Sequence, residues 1–315
     1  MTPAELEFWR RLQRRAAALQ SDLNRAILRA FQNLRDGLSE RQMAHLIATG
    51  QIDELVNDVF GQVAQNAAFT PMRSAMQTGV TKQVQLAAAE IPGARVNGRV
   101  LVSFDYLNPR VIDAVRTLDS KIITTLQADT RETVRAFAEN GLRDGKSAVT
   151  VARQIRDVVG LSPTQESYVR NLRTELEAGQ YGTAAQRVLL DQRYNLSKID
   201  GLSTSDRAKR IDTIVGAYRK SYIAFNAESN ARTAALDSTK LGQRLSWQDA
   251  IDKGIVDGDR LQKTWRGVKD NRERPEHYAM EGETVGFDEA FSNGEMTPGD
   301  STYNCRCVPI MSVGG

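Results

Sequence analysis

The chain has 315 residues, of which 41% are hydrophobic, 26% charged and only 6% aromatic, a length and composition that predict two domains, or one with helical extensions, around a real core. A formal net charge of +3 is too small for a dedicated nucleic-acid binder. The cysteines Cys305 and Cys307 are too close together for a disulfide framework, and no stretch approaches the roughly 20 apolar residues of a membrane span.

Ala, Leu, Arg, Glu and Gln dominate the first two thirds, a bias towards helix because these side chains lose little freedom there. Met1-Thr2-Pro3 is followed by Arg10-Arg11 and no apolar signal core, so no secretory leader is expected, and synthesis is expected in a cytoplasm. Trp9, Leu12, Ala16, Leu19, Leu23, Ala26 and Ala30 recur at 3–4 spacing and predict a helix over about 2–34 with one packing seam. Arg10, Arg11, Arg14, Arg15, Arg25 and Arg29 lie mostly off that seam and read first as a solvated basic face. Trp9, Arg10, Arg11, Arg14 and Arg15 are the candidate partner-binding residues. Further helices are expected over about 39–67 and 71–90. His45, alone on the first of these, reads as a packing or surface residue.

Pro92-Gly93 breaks the pattern. Asn97-Gly98 between alternating apolar residues predicts a short hairpin near 95–104. Asn108-Pro109 then opens a helix expected to end at Gly141. Ser147 opens another, stopped by Gly160. Ser162-Pro163 starts the next, with Glu166 placed for a capping box. A shorter helix is expected over about 183–194. Ser203 to Asp206 caps a long one striped by Ile211, Ile214, Val215, Tyr218, Tyr222 and Phe225, continuing to about 241. After Gly242 short mixed segments appear: Leu245 to Trp247, Lys263 to Val268 and Arg306 to Met311. The expected fold is mostly α, an elongated helical region followed by a small carboxyl-terminal α+β module. Its parts are a helical region with a short hairpin (1–103), a helical domain (104–242) and the module (243–315).

Polar residues of hydrogen-bonding and metal-binding kinds crowd the carboxyl end. Asp270-Asn-Arg272-Glu-Arg274-Pro275-Glu-His277 leads to Met280-Glu-Gly282, then Phe291-Ser-Asn-Gly294, Pro298-Gly299-Asp300 and Asn304-Cys305-Arg306-Cys307. This order resembles the signature of the Mu F-like head morphogenesis domain of tailed-phage minor head proteins. Gly160-Leu161-Ser162-Pro163-Thr164-Gln165 with the helix after it, and Phe104 to Pro109, also resemble that family, so the likeness spans about 104–315. Ala231-Arg232-Thr233-Ala234 departs from it, because relatives often carry Glu where Ala234 stands. The resemblance singles out Asp270, Arg272, Arg274, His277, Gly282, Pro298, Gly299, Asn304, Cys305 and Cys307 as a structural motif with no catalytic residue.

The resemblance implies a minor capsid protein of a bacteriophage virion, inside the head near the portal vertex, aiding assembly and genome packaging or ejection. Its implied partners are the portal protein and capsid or scaffold proteins, with non-specific contact to packaged double-stranded DNA and no membrane. The basic run Arg260, Lys263, Arg266, Lys269, Arg272 and Arg274 is either internally paired or a DNA contact that reads no sequence. The alternative from another class is a metal-assisted nuclease with His277 as general base, although the region has a single histidine. No phosphate loop, dinucleotide fingerprint or nucleophile elbow is present.

His277, Cys305 and Cys307 are expected to lie close together and staple the strand near Cys307 to the 272–282 loop. Two readings stay open. In one, no cofactor is bound, His277 hydrogen-bonds the loop and the cysteines are small buried residues. In the other the three are zinc ligands, and Asp270 or Asp300 completes the four that a structural site needs. The residue types favour the first.

Overall fold

The structure, a computed structural model, describes residues 2–61, 66–93, 95–96, 99–100 and 109–314. It is 67% helical, with a small antiparallel sheet near the carboxyl end. Helix α1 (Pro3–Asp36) buries the expected seam from Leu12 to Ala30, and Ile27 and Phe31 as well. Helices α2 (Glu40–Ala48) and α3 (Ile52–Glu54) follow, then a π turn (Leu55–Val59), and later α4 (Thr70–Ala88). The single helix expected over 39–67 is therefore broken. Gly50 takes a left-handed φ of 74°, and the Gln51 N–H closes back on the Leu46 carbonyl at 2.8 Å, a glycine stop that the apolar periodicity concealed.

Strands β1 (Arg95–Val96) and β2 (Arg99–Val100) pair antiparallel where a hairpin was expected. The Asn97-Gly98 turn, the rest of the hairpin and the Phe104 to Asn108 segment with its cap lie outside the described residues. Helix α5 (Pro109–Arg143) passes through Gly141, and α6 (Ala148–Val158) is capped by Ser147, which accepts the Thr150 N–H at 3.2 Å. Helix α7 (Pro163–Glu177) has a capping box, but the reciprocal residue is Gln165 and not Glu166. Pro163 takes the first helical position, which puts the third at Gln165. Glu166 instead turns inward, where burial pushes its carboxyl above the ordinary range.

The helix expected over 183–194 shrinks to α8 (Tyr181–Ala185), after which the Asp191 carboxylate holds a turn by accepting the Arg193 N–H. Helix α9 (Thr204–Asp252), capped by Ser203, runs well past the predicted end at 241. Leu245 to Trp247 is thus helical, not a strand. Gly242 is retained inside the helix because a Cβ there would come within 2.6 Å of Gln83 Cβ and 2.9 Å of Val84 N. Close packing, not chain reversal, explains this glycine.

The carboxyl-terminal sheet has the order β4-β3-β5, all antiparallel, from β3 (Leu261–Arg266), β4 (Thr284–Gly286) and β5 (Val308–Val313). Helix α10 (Pro275–Ala279) lies between β3 and β4 in sequence. Strand β3 alternates as a half-buried strand should, placing Leu261, Lys263 and Trp265 on its buried face.

The chain divides into two compact units, each discontinuous in sequence, whereas the sequence reading cut it consecutively at 103 and 242. One comprises Met1–Ala26, Pro71–Ile122 and Ser229–Gly315, and the other Ile27–Thr70 and Ile123–Glu228. In the first, Trp247, Ala250, Val256, Leu261 and Phe287 form a core with Ala88 and Ile91 of the α4 end. In the second, Phe31 meets Phe69 edge-on at 6.5 Å, Thr133 donates to the Leu161 carbonyl and Asn226 to the Gly160 carbonyl, both at 2.9 Å. No described helix is long and apolar enough to cross a membrane.

Candidate functional site

The motif residues assemble around Trp265, which β3 delivers fully buried to a small core of Met280, Phe291, Cys305 and Cys307. Phe291 and His277 both stand edge-on to the indole, at 5.2 and 5.4 Å, an arrangement that aromatic quadrupoles favour. Pro275 at the start of α10 fixes the turn that points His277 inward, and only 4% of that residue is exposed. Gly282 takes a φ of 90° and returns its N–H to the Trp265 carbonyl at 3.0 Å, locking the helix exit onto the strand.

The loop before β5 is held by polar contacts. Glu295 receives the Gly299 N–H at 2.6 Å, the Ser301 N–H at 3.1 Å and the Ser301 hydroxyl. Burial opposes its charge, yet these donors hold its carboxyl below the ordinary value. The buried Lys240 ammonium donates to the Pro298 carbonyl at 2.7 Å and faces Asp237 at 3.5 Å. Gly299 has a φ of 80°, and a Cβ on it would stand 2.5 Å from Cys305 Sγ. Asn304, at φ 58°, donates its N–H to Thr233 at 3.0 Å and its amide to Ser229 at 2.6 Å, both on α9. Thr233 and its neighbour Ala234 are both buried, so the helix contact to this loop is made by the Thr233 hydroxyl.

Around the rim, Asp270 grips Arg306 bidentately at 2.7 and 2.8 Å and also accepts the Arg272 N–H. The Arg306 guanidinium and that N–H hold the Asp270 carboxyl below its usual value. Arg274 donates to the Tyr303 carbonyl at 3.0 Å, while the Arg272 side chain is exposed.

The three soft ligands converge. His277 Nδ1 lies 3.3 Å from Cys305 Sγ and 3.7 Å from Cys307 Sγ, and its Nε2 lies 3.4 Å from Thr302 Oγ1. The Cys307 N–H points at Cys305 Sγ at 3.4 Å. Each thiol influences the other: hydrogen bonding from Cys307 brings the Cys305 thiol down to about 6, while that bond and burial push the Cys307 thiol up. Asp270 and Asp300, the carboxylates expected to complete a metal site, turn elsewhere. Asp270 is committed to Arg306, and Asp300 accepts the Thr297 N–H. The carboxylate beside the thiols is Glu273, with Oε1 3.8 Å from Cys307 Sγ. The sequence reading had passed over Glu273 as one of several charges in a basic run.

The basic run is largely paired within the chain, although Arg260, Lys269 and Arg272 are exposed. Arg260 donates to the Gly314 carbonyl, Lys263 to the Met296 carbonyl, and Arg266 to Glu5 at 2.7 Å, while Lys269 lies 3.6 Å from Glu281. Trp9, a candidate partner anchor, is half-buried and donates its indole N–H to the Arg306 carbonyl at 3.3 Å, joined there by Gln13. Arg11 and Arg15 converge on Glu90 at 2.6 and 2.7 Å, and Arg14 pairs with Glu7 at 2.7 Å. Arg10 is exposed.

The site is thus a polar, loop-rich motif folded onto a small sheet and buttressed by one long helix, with its histidine and thiols buried. Residues 197–310 match the family described as Phage Mu protein F like protein, and over this stretch the chain is similar to that family. The match takes in all of α9 and nearly all of the motif module, while the similar segments at 104–109 and 160–165 lie outside it. Neither the curated proteins nor the solved structures include a match to this chain.

Proposed function

We propose that this chain is a head morphogenesis protein of a tailed phage, a minor capsid component that acts in assembly and not as an enzyme. The observation that carries this reading is the family match across residues 197–310, which takes in the assembled motif. The geometry supports a structural role. Motif residues spend their hydrogen bonds on one another, as in Asp270 with Arg306 and Asn304 with α9. His277, which the nuclease alternative needs as an accessible base, is buried against thiols and an indole. A location inside the head near the portal, with the portal protein as partner, is the finer form of this proposal.

Cross-linking mass spectrometry on purified virions tests it. The expected result is cross-links to portal or inner capsid proteins. Absence from virions, or cross-links confined to the outer surface, would defeat the placement. Incubating the purified chain with DNA and divalent metals tests the rival, and cleavage abolished by His277→Ala would favour a nuclease.

A further inference from the structure

We propose that Glu273, His277, Cys305 and Cys307 form a structural zinc site, with Glu273 the ligand that completes the tetrahedron. Zinc–sulfur bonds of about 2.3 Å and zinc–nitrogen or zinc–oxygen bonds of about 2.0–2.1 Å set the ligand spacing of a tetrahedral site. Neighbouring donor atoms then stand about 3.5 Å apart for sulfur with nitrogen or oxygen, and about 3.8 Å for two sulfurs. The structure places His277 Nδ1 at 3.3 and 3.7 Å from the two sulfurs and Glu273 Oε1 at 3.8 Å from Cys307 Sγ. The histidine and cysteine donor atoms all lie within 4.8 Å of one another; Glu273 stands outside this group, beside Cys307, and its flexible side chain must swing inward to bind.

A hydrogen-bonded cluster accounts for these distances less well. A neutral imidazole has a single acceptor nitrogen, so Nδ1 takes a proton from one thiol only. Cys307 gives its own proton to Glu273 Oε1 at 3.8 Å, an ordinary length for a sulfur donor, which leaves the 3.7 Å approach of Cys307 Sγ to Nδ1 with no proton to explain it. A central cation uses Nδ1 and both sulfurs at once and draws in the neighbouring Glu273 carboxylate.

The surroundings fit a metal as well. Thr302 Oγ1 lies 3.4 Å from Nε2 and is placed to accept its proton in the tautomer that leaves the Nδ1 lone pair for the ion, as outer partners of metal-binding histidines do. The Cys307 N–H directed at Cys305 Sγ supports a thiolate there. Glu273 offers Oε2 to the Lys269 N–H at 2.6 Å, which leaves Oε1 for the ion. Two glycines make room for the donors. A Cβ on Gly267 would fall 1.6 Å from Glu273 Oε1, and one on Gly299 would fall 2.5 Å from Cys305 Sγ. With four protein ligands the site is closed, which marks a structural site and not a catalytic one. It would tie the 267–274 loop, α10 and the start of β5 together.

The test uses the full chain, purified under reducing conditions. Elemental analysis is expected to find one equivalent of zinc. The chain stripped by chelator should melt lower and recover on adding zinc chloride alone. Cobalt(II) in place of zinc should give intense visible bands of a tetrahedral ion and a thiolate-to-cobalt charge-transfer band. Glu273→Gln should weaken zinc binding about tenfold or more, and Cys305→Ser with Cys307→Ser should remove the charge-transfer band. If the double variant fails to fold, the wild-type cobalt spectrum and the zinc-dependent melting decide alone. A chain that carries no zinc and takes up neither metal overturns the site. Unchanged zinc affinity in Glu273→Gln overturns the fourth ligand.

Discussion

Lys263 shows how a single residue is placed against its own preference. It occupies the buried face of β3 between Leu261 and Trp265, with its ammonium on the Met296 carbonyl and over the Phe291 ring at 5.3 Å. Burial, with Arg244 nearby, pushes its pKa down to about 8, against weaker help from Asp288, Asp300 and Glu289. The folded-state value is depressed, so between about 8 and the unfolded lysine value the unfolded chain binds more protons than the native one. Stability from this group therefore rises with pH across that window and is flat below it. Denaturant unfolding of wild type and Lys263→Met from pH 7 to 10.5 should show the wild type gaining on the variant as pH increases. A constant or shrinking difference would contradict the assignment. Subtracting the two curves cancels the titration of the cysteines, which are common to both proteins.

At the scale of an element, α9 contains two glycines with opposite reasons for being there. Gly242 is pressed on the backbone of α4, where a Cβ would stand 2.9 Å from Val84 N, while nothing lies within 4 Å of a Cβ on Gly216. Gly242→Ala should destabilise by about 1–3 kcal/mol, since overpacking outweighs the better helix propensity. Gly216→Ala should stabilise by about 0.4–1 kcal/mol through lost unfolded-state entropy. Chemical denaturation of the two single variants checks both signs, and a stabilising Gly242→Ala would refute the close approach. The same comparison explains what sequence could reveal. Helices with a Ser or Thr cap and a regular apolar stripe, such as α1, α6 and most of α9, were legible because the local signals agree. Gly50 and Gly242 look alike in sequence, but one reverses the chain and the other admits a neighbouring helix. Only the tertiary neighbour separates them.

For the whole molecule, the candidate site was legible in its membership and not in its wiring. The motif order singles out His277, Cys305 and Cys307, which the fold brings together, whereas only the fold places Glu273 beside Cys307. Charge was harder to read for the same reason. Both basic clusters look available in sequence, but Arg11, Arg14, Arg15 and Arg266 each face a carboxylate, and Lys263 is buried. On the proposal that the chain touches packaged DNA, exposed cations such as Arg10, Arg29 and Arg272 are candidates for that contact. Each phosphate neutralised contributes about −0.9 to the slope of log affinity against log salt. A few such contacts give a shallow slope and weak binding, with a Kd no tighter than about 1 μM at physiological salt. Fluorescence anisotropy with two unrelated duplexes at 50 and 200 mM salt should return equal affinities for both, lowered together by salt. Arg10→Ala and Arg272→Ala should each reduce that slope by about one, whereas Arg15→Ala, which removes a cation already paired with Glu90, should leave it unchanged. A preference for one duplex would contradict a phosphate-only contact, and a steep slope that Arg15→Ala diminishes would mean that the ion pairs open to admit nucleic acid.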